Sequence, residues 1–89
     1  MVYIISYDLN QPGQKYDALH KLIKDVSNDR WAHILESTYI IHSLQSAEQI
    51  HNRLNPALDK SDRIFVSEIS KNYSGYLEEE FGPYIDKLF

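Results

Sequence analysis

The chain has 89 residues, of which 43% are hydrophobic and 25% are charged, and it contains no cysteine. This composition predicts one globular domain and excludes disulfides, thiolate metal sites and a cysteine nucleophile. Thirteen acidic and nine basic side chains give a net charge of −4, which argues against a protein that coats duplex nucleic acid. A domain this small has a thin core, so a second copy of the chain would add much stability.

No segment has the pattern of a membrane span or a signal peptide. The longest apolar run, 1–5, has five residues, whereas a span needs roughly 20. Asp8 interrupts early and the first basic residue is Lys15, so no basic start precedes an apolar stretch. We therefore expect a cytoplasmic protein with no membrane partner.

The first third of the chain predicts a strand, a loop and a helix. Residues 2–7 (VYIISY) are β-branched and aromatic, which is typical of a central strand buried on both faces. The stretch 8–13 predicts a loop, because its Pro-Gly pair interrupts both helix and strand. Apolar side chains spaced by three and four predict a helix that runs from Tyr16 and ends near 27–29.

The middle of the chain predicts further strands and a second helix. Residues 31–43 (WAHILESTYIIHS) are too many for one strand, so we expect a break or a bulge at the polar triplet 36–38. Ser46 and Gln49 have the spacing of a capping box and mark the start of the second helix. Pro56 should end or kink that helix just before it.

Residues 62–70 predict the last strand, giving the order strand, helix, two strands, helix, strand. Two strand-helix-strand units on one antiparallel sheet predict an α+β fold, a ferredoxin-like βαββαβ sandwich with both helices on one face. Residues 1–70 form this core within a single domain, and 71–89 form a C-terminal tail for dimer contacts. The first and last strands are apolar on both faces, so the tail or a second copy must cover the other face. A short final helix is expected around Pro83, with Tyr84 and Leu88 on one side of it.

Asp8 is the sharpest candidate for chemistry. It closes the first strand at the edge of the sheet where ligands gather, because loops diverge there and helix amino ends offer N–H groups. Alternatively, Asp8 caps the loop or the helix that follows it. Magnesium takes one or two carboxylates besides water and phosphate, so a two-fold axis beside this strand would make a metal site from one Asp8 of each chain.

Other polar and aromatic residues each have a structural alternative. Ser37 and its neighbours lie near Asp8 if their strand pairs with the first one, or they form a bulge that satisfies its own backbone. Trp31 could stack a nucleic-acid base, with Lys15 and Arg30 as basic contacts, or it packs in the core. The four histidines lack the close spacing of a zinc site.

Three segments carry a resemblance to a known family. They are 2–10 (VYIISYDLN), 35–49 (LESTYIIHSLQSAEQ) and 62–68 (DRIFVSE), and their markers are a strand ending in Tyr-Asp, a polar-Ser-polar-aromatic strand and a Ser-x-x-Gln helix start. Over about residues 1–70 the chain resembles the Cas-two family, small CRISPR adaptation proteins, and virulence-associated protein D, an endoribonuclease toxin of the same superfamily. The resemblance implies a ferredoxin-like fold, a homodimer joined through sheet faces and exchange of a C-terminal strand.

The resemblance also implies roles for individual residues. The family aspartate that faces its copy across the dimer axis and supports metal-dependent nuclease activity falls on Asp8. The family's strand serine falls on Ser37, and Tyr7 and Asn10 are supporting neighbours. Members that clamp DNA are basic on helices and edges, whereas this chain is acidic and carries glutamates at 78–80. This difference favours an orphan relative outside a CRISPR adaptation complex.

The leading hypothesis is a Cas-two-like homodimer with metal-dependent endonuclease activity on RNA or DNA, in a CRISPR, toxin or phage-defence context. Paired Asp8 carboxylates would hold Mg²⁺ or Mn²⁺, which activates water and neutralises the developing phosphorane charge. Ser37 is the second catalytic candidate. The alternative is a non-catalytic dimeric module that binds a protein partner through its dimer surface and aromatic tail.

Overall fold

The computed structural model describes residues 1–10 and 12–89, with 12–15 described by their backbone only. Its elements in chain order are β1 (Val2–Asp8), α1 (Pro12–Val26), β2 (Trp31–Leu35), β3 (Thr38–His42), α2 (Ala47–Leu54), a 3₁₀ turn (Asn55–Ala57), β4 (Arg63–Ile69) and α3 (Phe81–Leu88). None of these helices is long and apolar enough to cross a membrane. The predicted α+β class and the order of the strands and α-helices from β1 to β4 are confirmed.

The strands form one antiparallel sheet in the order β2-β3-β1-β4. β1 is central, since it pairs with β3 on one side and with β4 on the other. Residues 31–43 form two strands joined by a turn, and the register between them shifts between His33 and Leu35. Of the two alternatives, the break is confirmed at the polar triplet, where 36–37 form the turn, and the irregularity lies just before it, within β2.

The helix α1 begins earlier than the sequence predicts. Its first residue is Pro12, so the expected loop over 8–13 is wrong at its C-terminal end. A proline fits there because the first turn of a helix leaves its N–H groups unpaired, and the proline φ angle is already helical. The helix ends where predicted, with Asn28 and Asp29 at φ angles of 52° and 65°. Gln11 lies outside the described residues.

The capping box of α2 is confirmed. Ser46 Oγ accepts the N–H of Gln49 at 3.1 Å, and Gln49 Oε1 accepts the N–H of Ser46 at 2.9 Å. The helix stops at Leu54, and Pro56 lies in the 3₁₀ turn that follows. The predicted break before Pro56 is also confirmed.

Helices α1 and α2 cover one face of the sheet, called here the first face. Between them and the sheet lies the larger hydrophobic core, since alternate side chains of β1 and β3 point to this side. Full burial of each large apolar side chain stabilises the fold by about 1.5–3 kcal/mol. The buried members from these elements are Tyr3, Ile5, Tyr7, Leu19, Ile23, Val26, Tyr39, Ile41, Ile50 and Leu54.

The tail covers part of the opposite, second face with α3. Ile85 and Leu88, each 3% exposed, pack there with Val2, Ala32 and Ile40. The expected docking of the tail and its final helix are confirmed. Ile85 is the buried neighbour of Leu88 on this helix, whereas the expected neighbour Tyr84 is 42% exposed. The resemblance implied a C-terminal strand, whereas the described residues 71–89 contain a helix and no strand.

The remainder of the second face is open to solvent. Leu35 is 54% exposed and Phe65 is 66% exposed. No residue of β4 is fully buried, and Ser6 and Asp8 of β1 are exposed. The expectation that the first and last strands are buried on both faces is therefore wrong at these positions, since β4 lies at the sheet edge and α3 covers only part of this face.

Candidate functional site

Asp8 ends β1 on the second face. Strand alternation puts its exposed side chain on the side of Ile4 and Ser6, beyond the part that α3 covers. Its carboxylate makes no hydrogen bond or ion pair within the part of the chain that the structure describes. Asp8 thus caps neither the loop nor the helix there, and its oxygens are available to a ligand.

Asp62, which the sequence analysis did not single out as a site residue, performs the capping instead. It is 8% exposed, and its two carboxylate oxygens accept the N–H groups of Asn10 and Asp59, each at 2.9 Å. This side chain ties the loop after β1 to the turn before β4. The signal was the turn sequence Asp59-Lys60-Ser61-Asp62, whose aspartates favour bonds to nearby backbone.

Arg63 lies directly opposite Asp8 in the register of β1 and β4. Opposite side chains on one face of an antiparallel pair have Cβ atoms roughly 4.5–5.5 Å apart. The Arg63 guanidinium donates to the carbonyl oxygens of Lys60 at 3.1 Å and Asp62 at 2.9 Å. An exposed acid and an exposed base therefore stand side by side without forming an ion pair among the described residues.

The turn between β2 and β3 brings Ser37 beside the end of β1. Its carbonyl oxygen accepts the N–H of Tyr7 at 3.1 Å, and Thr38 pairs with Ser6. Ser37 was expected near Asp8 only if its strand pairs with β1, and β3 does pair with β1. The contact itself is made through the backbone of Ser37.

Tyr7 points to the first face, opposite to Asp8. Its hydroxyl lies 2.9 Å from Nε2 of His20. The His20 ring lies 4.9 Å from that of His33, which stacks on Tyr39 at 4.2 Å. Burial raises the pKa of the Tyr7 hydroxyl and lowers the pKa of the His20 imidazole. These groups form a packed layer between α1 and the sheet, where burial favours the neutral forms of Tyr7 and His20.

Acidification is expected to destabilise the fold through His20 and His42. Burial lowers the pKa of both imidazoles below the ordinary value of 6.5. The unfolded chain then binds more protons, so the stability contributed by the neutral rings is complete above about pH 6.5 and declines as the pH falls toward the folded pKa values. Urea unfolding between about pH 7.5 and pH 5.5 measures this decline.

The matched variants are His20→Gln and His51→Gln. His20→Gln should flatten part of the pH dependence because it removes one buried imidazole. His51 is exposed on α2, so His51→Gln should leave the dependence as in the parent. A free energy of unfolding that stays constant over this range would contradict the prediction.

Trp31 lies toward the other end of the sheet from Asp8. Trp31 and Tyr3 both pair with Ile41 of β3, which lies between their strands. Along β1, Tyr3 is about 17 Å from Asp8. The Trp31 ring is half-buried, 5.7 Å from that of Tyr39, and the Lys24 ammonium lies 4.7 Å over it. The structure therefore places Trp31 in a packed layer apart from Asp8.

Arg30 is also distant from Asp8. Its guanidinium donates to the carbonyl oxygens of Lys87 at 3.1 Å and Leu88 at 3.5 Å. It thereby holds the C-terminal end of α3, whose last carbonyl groups favour a cation. The third predicted nucleic-acid contact, Lys15, has a side chain outside the described part of the structure.

A metal at Asp8 needs ligands beyond this one side chain. The described residues contain no group of three or more His, Asp or Glu side chains that could hold a metal ion. A carboxylate oxygen is the ligand type that Mg²⁺ and Mn²⁺ prefer, so Asp8 fits such an ion when a second copy, water or phosphate completes the shell. Neither the protein-family models nor the curated proteins give a match to this chain.

Proposed function

We propose that the chain is a ferredoxin-like, Cas-two-like homodimer that hydrolyses phosphodiester bonds of RNA or DNA with Mg²⁺ or Mn²⁺. The observation that carries the proposal is the exposed carboxylate of Asp8, which has no partner among the described residues and ends the central strand on the uncovered part of the second face. The strand order supports the ferredoxin-like arrangement. In the unit β1-α1-β2 the strand β3 lies between β1 and β2, and in the unit β3-α2-β4 the strand β1 lies between β3 and β4.

The uncovered part of the second face supports a dimer. Leu35 and Phe65 are more than half exposed at opposite edges of the sheet. Ile4 and Ile69, closer to the part that α3 covers, are only partly buried. Exposed apolar patches of this kind mark interaction surfaces, and in a two-fold dimer the same patch meets its own copy. Such an axis would bring Asp8 of one protomer toward the partner's copy.

The chemistry follows from what these residues offer. Two Asp8 carboxylates would hold the metal ion, and Ser37 and Asn10 are the neighbouring polar candidates for contacting substrate. A bound Mg²⁺ or Mn²⁺ would lower the pKa of a water ligand and neutralise charge developing on the phosphate. The test compares cleavage of labelled RNA and DNA by the parent and by Asp8→Asn with Mn²⁺; cleavage by neither protein, or equal cleavage by both, rejects the proposal.

Replacing Phe65 by Asp is expected to convert the dimer to a monomer. The dimer contact would bury the new carboxylate among apolar side chains without a partner, which is unfavourable. Light scattering at micromolar protein should give twice the 10.4 kDa chain mass for the parent and the chain mass for the variant. Leu44→Asp is the control, since Leu44 is 96% exposed in the loop after β3. A monomeric parent would remove both the dimer and the shared metal site.

A second candidate function is a non-catalytic module that binds a protein partner. It is favoured by an apolar groove of about 510 Å³ between the second face and the tail, with Ile34, Ile69 and Leu77 in its lining. Grooves of this size and polarity are common binding sites. A dimer that cleaves neither RNA nor DNA would favour this candidate.

A further inference from the structure

We propose that Arg63 is a phosphate-binding residue at the Asp8 end of the sheet, and that its ligand is the phosphodiester of a nucleic-acid strand. The inference rests on the proposed function, since it names the substrate group held next to Asp8. Guanidinium is suited to this ligand, because its planar donors match two phosphate oxygens at once.

The register supplies the first argument. Arg63 and Asp8 are opposite residues of β4 and β1, and both side chains are exposed. A phosphodiester that contacts a metal ion at Asp8 therefore lies within reach of the guanidinium.

The state of the guanidinium supplies the second argument. Its Nη1 donates to the carbonyl oxygens of Lys60 and Asp62, which holds the group in one orientation. Its other nitrogens make no hydrogen bond with the described residues. An arginine has five N–H donors, so those that remain can form a two-bond contact with phosphate. Little side-chain entropy is lost on binding, because the orientation already exists.

Asp62 keeps the two sides of the site together. Its buried carboxylate binds the N–H of Asn10, two residues after Asp8, and the N–H of Asp59 in the turn before β4. The bond to Asn10 joins the loop after β1 to the turn before β4, whereas the bond to Asp59 lies within that turn. The segments that follow Asp8 and precede Arg63 are therefore connected just beyond the last pair of the ladder.

Electrostatics supply the third argument. The chain has a net charge of −4, so a polyanion meets repulsion unless cations lie where it binds. Two Asp8 carboxylates at a dimer axis would add to that repulsion. Arg63 beside each carboxylate, and Lys60 in the adjacent exposed turn, offset it. A positive charge at this place therefore lowers the repulsion that a phosphate meets beside Asp8.

Binding without cleavage tests the proposal. Fluorescence anisotropy measures the affinity of a labelled oligouridylate and of an oligothymidylate of equal length, in EDTA at low ionic strength. Four proteins are compared: the parent, Asp8→Asn, Arg63→Gln, and the double variant that carries both substitutions. Arg63→Gln should weaken binding about 10-fold, in line with removal of a charged hydrogen bond. The slope of log affinity against log salt should become shallower by about 0.7 for each phosphate that the variant no longer neutralises.

Two further variants distinguish phosphate binding by the Arg63 guanidinium from two other effects, a loss of folded structure and a nonspecific effect of net charge. Arg63→Lys keeps the charge but removes the paired donors, so its affinity should lie between those of the parent and Arg63→Gln. Arg53→Gln removes a cation from α2 that pairs with Asp25 at 2.7 Å, and it should bind as the parent does. Thermal unfolding of each variant establishes that it is folded.

The outcomes distinguish this inference from the proposed function. If Asp8→Asn abolishes cleavage but Arg63→Gln binds both probes as the parent does, the role of Arg63 is rejected and the nuclease proposal stands. If the parent cleaves neither probe but Arg63→Gln binds more weakly, the phosphate site stands and the nuclease proposal is rejected. An equal decrease of affinity in Arg53→Gln would also overturn the inference, since general charge would then explain it.

Discussion

Asp8→Asn is expected to lower the rate of Mn²⁺-dependent cleavage at least about 100-fold, which corresponds to about 2.7 kcal/mol of transition-state stabilisation. The amide has nearly the same shape as the carboxylate but supplies no negative charge to a metal ion. Because Asp8 is exposed and unpaired among the described residues, the substitution should leave the fold intact. Initial cleavage rates with Mn²⁺ and with EDTA measure the decrease.

The control for Asp8→Asn is Glu48→Gln. Glu48 is an exposed acid in the first turn of α2, so its replacement changes the net charge by the same amount away from the site. It should cleave as the parent does, and both variants should unfold near the parent temperature. A rate for Asp8→Asn within about twofold of the parent would exclude Asp8 from the reaction.

Ile85→Ala is expected to lower the free energy of unfolding by about 2–4 kcal/mol, because it leaves a cavity under α3. Ile85 is 3% exposed and packs against the second face with Val2 and Ala32. Urea denaturation of both proteins at equal concentration measures the difference. Tyr84→Ala is the control, since Tyr84 is 42% exposed on the same helix and its replacement should cost under about 1 kcal/mol.

The same measurement tests where α3 docks. If it packs on its own sheet, Ile85→Ala should destabilise the monomeric Phe65→Asp variant about as much as it destabilises the parent. If the tail were exchanged between protomers, as the family resemblance implies, Ile85→Ala should have little effect in that monomer, because the partner sheet is absent. Equal destabilisation in Ile85→Ala and Tyr84→Ala would contradict the packing of α3 described above.

The features that could be predicted from the sequence depend on interactions between residues that are close together in the chain. The capping box of Ser46 and Gln49 and the break at Pro56 depend on bonds between residues at most four apart. The order of strands and helices follows from hydrophobic periodicity, which each segment carries by itself. The start of α1 was misjudged at Pro12, because a proline is compatible both with a loop and with the first helical turn.

The sequence by itself determined the class of fold, the position of Asp8 at the end of a strand, and the docking of the aromatic tail. Only the tertiary structure decided what surrounds Asp8. The bond from Asn10 to Asp62 joins residues 52 positions apart, and the pairing of Asp8 with Arg63 depends on the register of strands that are distant in the chain. Neither contact leaves a local pattern, because each arises only when the sheet assembles.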